Sequence, residues 1–257
     1  SAAAASSTAG TPSPPRDPLM EKQGLIKLLP LLAALIALPA QSQEDEEFFE
    51  FDEEASAAPA IADPLESLNR ASFAVNDKLY RGVLKPIARG LRVLPVPVRN
   101  GMANFFTNLL APVSAACALL QGEPRNAAIE ASRFVLNTTA GLGGLLDPAT
   151  HLGLLQDEED VGQTLARYGV GHGFYLVVPL YGPTSLRDMA GSITNNRVNP
   201  FYQNLVTGEI IGINLAAAEV DLSLDQDTYE AFYESALDPY VFFRSAWVQN
   251  RQGKIDQ

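Results

Sequence analysis

Basic residues are scarce in this chain: 18 Lys and Arg stand against 30 Asp and Glu, a formal charge of −12 over 257 residues. Nucleic-acid binding needs clustered cations that replace phosphate counterions, so that class is excluded. The same balance argues against general adhesion to an anionic lipid surface. With Cys117 as the single cysteine, neither an intramolecular disulfide nor a cysteine-based zinc site can form. Its apolar surroundings, Pro112–Leu120, read as a buried small hydrophobe. The two histidines, His151 and His172, have no recognisable nucleophile beside them, so general-base chemistry lacks its partner.

Catalytic and cofactor motifs are also missing. There is no G-x-S-x-G elbow and no phosphate-cradling G-x-x-x-x-G-K-[ST]. Gly169-Val170-Gly171-His172-Gly173 mimics a dinucleotide fingerprint, but Phe174 occupies the place of its third glycine. Asp157-Glu158-Glu159-Asp160 and the trio Asp221, Asp225 and Asp227 lack the spacing of a calcium loop. Solvated charge or helix capping accounts for them better than a metal site. No cofactor is implied, and the chain reads as non-enzymatic.

What is present begins with processing signals. Residues 1–19 are a low-complexity extension rich in Ala, Ser, Thr and Pro, consistent with a misplaced start. Residues 20–42 form a signal peptide: Lys22 and Lys27, the apolar run Leu28–Leu38, then small residues before Gln43. That run is short for a transmembrane helix. Residues 43–61 are an acidic spacer, with eight acids around Phe48, Phe49 and Phe51 in Glu44–Glu54. A helical domain covers 62–252, and 253–257 are a tail.

Within that domain Asp63-Pro64-Leu65-Glu66 reads as a helix start with Asp63 as cap and Pro64 at the first helical position. Leu65, Leu68, Val75 and Leu79 follow at helical spacing. A second helix starts at Pro97, with Val98, Met102, Phe105, Phe106 and Leu109 on one side and Asn100, Asn104 and Asn108 on the other. The amide face is either a solvated stripe or the wall of an aqueous channel. A third helix runs from Pro124 to about Thr138, carries Ala127, Ala131, Phe134 and Val135, and ends at Gly141, Gly143 and Gly144. Further helices are expected over Leu205–Val220, over Tyr229–Leu237, and from Asp238-Pro239 towards Arg251. Seven of the 21 aromatic residues lie in these last two, as core or as a membrane-water boundary. Asp160–Asp188 is long, nearly uncharged, and too rich in glycine and proline for a helix. It reads as a pocket, hairpin or pore wall, with Leu176-Val177-Val178 as the best strand candidate. The fold class is mainly α.

An ordered set of motifs carries a resemblance. Asp63-Pro64-Leu65-Glu66 with Asn69-Arg70, Arg99-Asn100-Gly101 with Asn104-Phe105 and Asn108-Leu109, and Arg133–Thr138 with Gly141–Gly144 are similar to the MlaA (VacJ) family of outer-membrane lipid-asymmetry proteins. The set continues through Gly162–Leu165, Tyr168–Gly171, Pro179–Gly182, Arg187-Asp188 and Asp238–Tyr240 with Arg244. The resemblance implies a ring of helices in the inner leaflet of a Gram-negative outer membrane, enclosing an amphipathic channel. It implies partners too: a trimeric porin, a soluble periplasmic carrier (MlaC-like), and mislocalised phospholipid as the cargo. Asn100, Asn104, Phe105, Asn108, Arg187 and Asp188 are then channel or lipid-path candidates, and Gly141, Gly143, Gly144, Gly169, Gly171 and Gly173 hairpin or hinge candidates. Arg187 and Asp188 either pair with each other or contact the head group. Many members carry a lipidated cysteine at the signal-peptide end, and Leu38–Ser42 contains none. The alternative reading is a soluble periplasmic helical protein that binds or scaffolds.

Overall fold

The structure is a computed structural model that describes residues 61–256 except Gln226. The extension, the signal segment and all but the last residue of the acidic spacer lie outside the described residues. The rest is mainly helical, as the sequence predicts. Helix α1 spans Glu66–Leu79 with Leu65 at its N-cap, two residues later than the capping pattern predicts. Asp63 does not cap it. Its carboxylate accepts instead from Asn69 Nδ2 at 2.8 Å, from Arg244 Nη1 at 2.9 Å and from the Tyr240 hydroxyl. Burial pushes this carboxyl up, but those three donors more than offset it and hold Asp63 below the usual carboxylate range.

A π turn over Tyr80–Leu84 leads into α2, Lys85–Leu91. Helix α3, Val96–Leu120, starts with Pro97 in its first turn and runs through Pro112, which offers no N–H to the Asn108 carbonyl. Among the described helices only α3 is long and apolar enough to cross a membrane, a test that core helices of soluble proteins also pass. The chain reverses at Gly122 into α4, Pro124–Thr139, which packs along α3. Short helix α5, Pro148–His151, is capped by Asp147, and α6, Val161–Arg167, by Asp160. Helix α6 corrects the expectation of an entirely non-helical Asp160–Asp188: the Asp160 cap starts a helix of seven residues before the glycines interrupt it.

The remainder of that segment is an antiparallel hairpin, β1 Tyr175–Val178 and β2 Gly182–Ser185, with Tyr175 opposite Ser185 and Val178 opposite Gly182. Ser185 caps α7, Leu186–Val198. Then follow α8, Thr207–Leu224, α9, Thr228–Ser235, and α10, Pro239–Ile255, whose first turn is capped by Asp238.

A two-stranded hairpin leaves backbone groups open along each edge. Two amides of α1, seven residues apart and so on one helix face, close the free edge of β1. Asn69 accepts from Val177 N–H at 2.9 Å and donates to the Tyr175 carbonyl at 3.0 Å. Asn76 accepts from Leu180 N–H at 2.9 Å and donates to the Val178 carbonyl at 3.0 Å. Tyr175, Val177 and Tyr240 form a small core beneath, joined by Ile61, Phe73 and Trp247. The late aromatics belong to this packing: Phe73 stacks on Tyr233 with centroids 6.2 Å apart, and Tyr229 on Phe243 at 5.0 Å.

Polar side chains take a large share of the interior. Among the described residues seventeen polar or charged side chains are buried against fifteen hydrophobic ones. On α1, Leu65, Leu68 and Val75 are exposed and Asn69 is buried; on α3, Val98 and Phe105 are exposed and Asn108 is buried. Helix α4 turns Val135 outward and buries Glu130, Arg133 and Asn137 with Ala127. The helical period was legible; of the two readings of the α3 amide face, the solvated stripe does not hold for the buried Asn108, while farther along the same helix Ala111, Val113, Cys117 and Ala118 are buried.

Asn69→Ala leaves the Val177 N–H and the Tyr175 carbonyl without their buried partner. It is expected to cost about 2–4 kcal/mol in a denaturation experiment, against about 1 kcal/mol for the less buried Asn76→Ala. Equal, small losses at both positions would remove the amides as the closure of the strand edge.

Candidate functional site

The inward faces of α3 and α4 meet the segment between α5 and α6. Glu130 Oε1 accepts from the Asp157 N–H at 2.9 Å, and Ser114 Oγ accepts from the Glu159 N–H at 2.9 Å. Glu159 is buried, held by Gln121 Nε2 at 2.5 Å and Gln163 Nε2 at 2.9 Å. This corrects the solvated reading of the Asp157–Asp160 run: Asp160 does cap α6, but Glu159 points inside. Burial pushes both Glu130 and Glu159 above the usual carboxylate range, and in each case the bonded donors only partly offset it.

Three cavities follow one another along these walls. A small one of about 10 Å³ is lined by Asn104, Asn108, Arg133, Asn137 and Asp147. It shares Thr107, Ala111, Glu130 and Gln156 with a larger cavity of about 190 Å³, which Ser114, Glu158, Glu159 and Gln163 also line. That one shares Asp160 and Asn195 with a third of about 120 Å³ beside Asp188 and Arg251. The third in turn shares Tyr181 and Pro183 with an apolar cavity of about 250 Å³ under Phe73, Tyr80, Val177 and Phe243. Polar walls thus pass into apolar ones at the tip of the hairpin.

Ion pairs fix the two ends of the polar walls. Arg251 donates to Asp160 from both terminal nitrogens at 2.7 Å, and to Asp188 Oδ1 at 2.8 Å from Nη2 and 3.0 Å from Nε. Asp188 also accepts from Ser185 Oγ at 2.6 Å and from Arg187, whose Nη2 lies 3.0 Å from His172 Nδ1. Burial raises Asp188, and Ser185 and Arg251 overcome it, leaving the carboxyl below its usual range. At the other end Asp147 accepts from Arg133 Nη2 at 2.9 Å and Asn137 Nδ2 at 3.0 Å. Helices α6 and α7 approach closely because both carry glycine: a Cβ on Gly191 would lie 2.6 Å from the Gly162 nitrogen.

The structure brings Asn104 and Asn108 together on the smallest cavity, with Asn108 Nδ2 donating to Thr138 Oγ1 at 3.0 Å. Asn100 lies exposed at the start of α3, and Phe105 packs on Phe106, away from the cavity walls. Arg187 and Asp188 form a buried pair that ties the hairpin's return to α10. Of the glycines, Gly141 leaves no room for a side chain, since a Cβ would collide with the carbonyl oxygens of Asn137 and Leu146. Gly144 abuts the Asn108 side chain, while Gly143, Gly169 and Gly173 have positive φ. Gly171 is exposed, with open space around it, and nothing in its surroundings calls for glycine.

Sequence reasoning did not select Glu130, Glu159, Asp160 or Arg251. For Glu130 a signal existed: with Ala127, Arg133 and Asn137 it repeats every three or four residues, a face as regular as the apolar one. Arg251 carried no signal, because its partners lie 63 and 91 residues away.

Comparison with known proteins supplies the context. The MlaA lipoprotein family profile matches residues 61–254. The intermembrane phospholipid transport system lipoprotein MlaA of Haemophilus influenzae is 35% identical over 199 residues, covering 76% of this chain and 79% of that protein. Its counterpart in Escherichia coli K12 is 35% identical over 195 residues, covering 73% and 76%. A solved structure on the maintenance of bacterial outer membrane lipid asymmetry superposes with a TM-score of 0.68 at 34% identity, over 76% of this chain and 99% of that one.

Two groups of carboxyls give stability opposite pH dependences. Asp63, Asp147 and Asp188 are shifted down, so their contribution is complete above about pH 4 and is lost as the pH falls further. Glu130 and Glu159 are shifted up, so stability rises as the pH falls through their raised values towards the ordinary one. The melting temperature should therefore peak on the acid side of neutrality. Glu130→Gln keeps an acceptor for the Asp157 N–H while removing buried charge, and is expected to raise the melting temperature at pH 7 by about 2–4 °C. Gly141→Ala should cost about 2–3 kcal/mol, with Gly171→Ala near neutral; a tolerated Gly141→Ala would contradict the contact geometry.

Proposed function

Because this chain belongs to the MlaA lipoprotein family, we propose that it transports phospholipid without breaking a bond. On this reading it removes mislocalised phospholipid from the outer leaflet of a Gram-negative outer membrane and passes it to a soluble periplasmic carrier, preserving lipid asymmetry. It sits among the lipids of the inner leaflet as a ring of helices, beside a trimeric porin.

The observation that carries this reading is the set of exposed apolar side chains together with the polar cavities. Large apolar side chains such as Leu68, Leu119, Val135, Leu142 and Leu155 are each more than half exposed. Lipid tails would solvate them. Inside, a head group would meet Asn104, Asn108, Gln156 and Gln163 rather than hydrocarbon, which lowers the cost of moving a charged group across the leaflet. The apolar cavity that shares Tyr181 and Pro183 with the polar series offers acyl chains an adjoining wall. The non-helical backbone of the hairpin is admissible at membrane depth because Asn69 and Asn76 satisfy its open edge.

The test is complementation of a strain lacking its own protein of this family, read as outer-leaflet phospholipid. This chain should restore asymmetry. Thr107→Trp, which fills the wall shared by the two polar cavities, should not restore it at equal protein level. Full restoration by the filled variant would sink the path, and release of the chain from membranes by high salt alone would favour a soluble binding or scaffolding protein.

A further inference from the structure

The charges around the 190 Å³ cavity are uneven. Glu130, Glu158, Glu159 and Asp160 line it, and the one cation on its wall among the described residues is the exposed Lys254, which forms no ion pair with any of them. The guanidinium groups nearby are already committed, Arg133 to Asp147 and Arg251 to Asp160 and Asp188. Glu130 is the telling residue. The residue is 1% exposed and lines both polar cavities; Oε1 accepts the Asp157 N–H, while Oε2 accepts from no described residue and is not fully enclosed, so it stays open to the cavity. An oxygen of a largely buried carboxylate that stays open to a cavity gains a charge-assisted hydrogen bond when a cationic donor enters.

We propose that this cavity binds the primary ammonium of a phospholipid head group, so that the path favours ethanolamine head groups over anionic ones; this rests on the lipid-transport reading above. An ammonium has three N–H donors on a compact charge, which suits one carboxylate oxygen supplemented by the Gln156 amide and the Ser114 hydroxyl on the same wall. A divalent metal would need several oxygen ligands converging on a point, and among the described residues no three acidic, histidine or cysteine side chains are placed to hold one. A phosphatidylglycerol head group carries the same phosphate with no ammonium to balance it, so it meets Glu130 and Glu158 with a net negative charge and offers them no cation.

The purified full-length chain in detergent is incubated with mixed micelles holding equal phosphatidylethanolamine, phosphatidylcholine and phosphatidylglycerol with matched acyl chains. It is then repurified, and its lipid is quantified by mass spectrometry. The expected result is about tenfold enrichment of phosphatidylethanolamine over phosphatidylglycerol, with phosphatidylcholine, which lacks N–H donors, well below the ethanolamine lipid. Glu130→Gln should bring the ratio to within about twofold, the melting temperature confirming its fold. Glu158→Gln, at an exposed side chain whose loss does not threaten folding, should lower the enrichment about threefold. Equal binding of all three lipids by the unaltered chain would overturn the ammonium site and leave the lipid-transport reading standing. Failure to bind any lipid would remove both. Displacement of the ethanolamine lipid by stoichiometric magnesium at constant ionic strength would reassign the cavity to a divalent cation and also overturn the proposal.

Discussion

One guanidinium holds the interior together. Arg251, near the end of α10, bridges Asp160 at the start of α6 and Asp188 in the first turn of α7. Those two carboxylates also cap their own helices or the cap residue beside them, so one side chain fixes two helix starts and the hairpin between them. Buried charges persist only where they are paired and further hydrogen-bonded. That condition explains why Gly162 and Gly191 face each other: any side chain there would separate α6 from α7 and pull Asp188 from its cation. It also explains why the polar interior is rigid enough to have walls. Among the wall residues Asn137 is tied to α5 and Gln163 to α10.

Much of this fold was legible where chemistry is local. Pro97, Pro124 and Asp238-Pro239 mark helix starts because proline removes a donor that a first turn does not need, and the structure places helices there. Asp63-Pro64 carries the same signature and misled, because Asp63 found stronger donors in Tyr240 and Arg244, some 180 residues away, than in its own helix. Seven residues of α6 were hidden by the glycines around them. Period and boundary can be read from sequence, whereas the direction a face points depends on the solvent outside it.

That dependence was decisive for α1, α3 and α4. A reader who assumes water outside places Leu68, Val98 and Val135 in the core and Asn108 and Glu130 on the surface, and each of these five is reversed. The reversal is not a weakness of packing. The small aromatic core under the hairpin is conventional, with Tyr175 and Tyr240 buried and Trp247 against them. The fold therefore combines an ordinary core at the α1, hairpin and α10 junction with a polar interior between α3, α4 and α6. On the proposed reading the first part supplies stability and the second the route for a head group.

The carboxylates of the interior are of two kinds. Asp63, Asp147 and Asp188 are each held below their ordinary range by bonded cations and hydroxyls, and removing Asp147 or Asp188 takes the carboxylate partner from the buried Arg133 or Arg187. Glu130 and Glu159 are held above it by burial, and their charge is carried against the fold's own preference. A group that costs stability and completes no ion pair is better explained by something that visits than by something that stays. Glu130 Oε1 accepts the Asp157 N–H and Oε2 stays open to the cavity, which is the geometry on which the proposed head-group ammonium site rests.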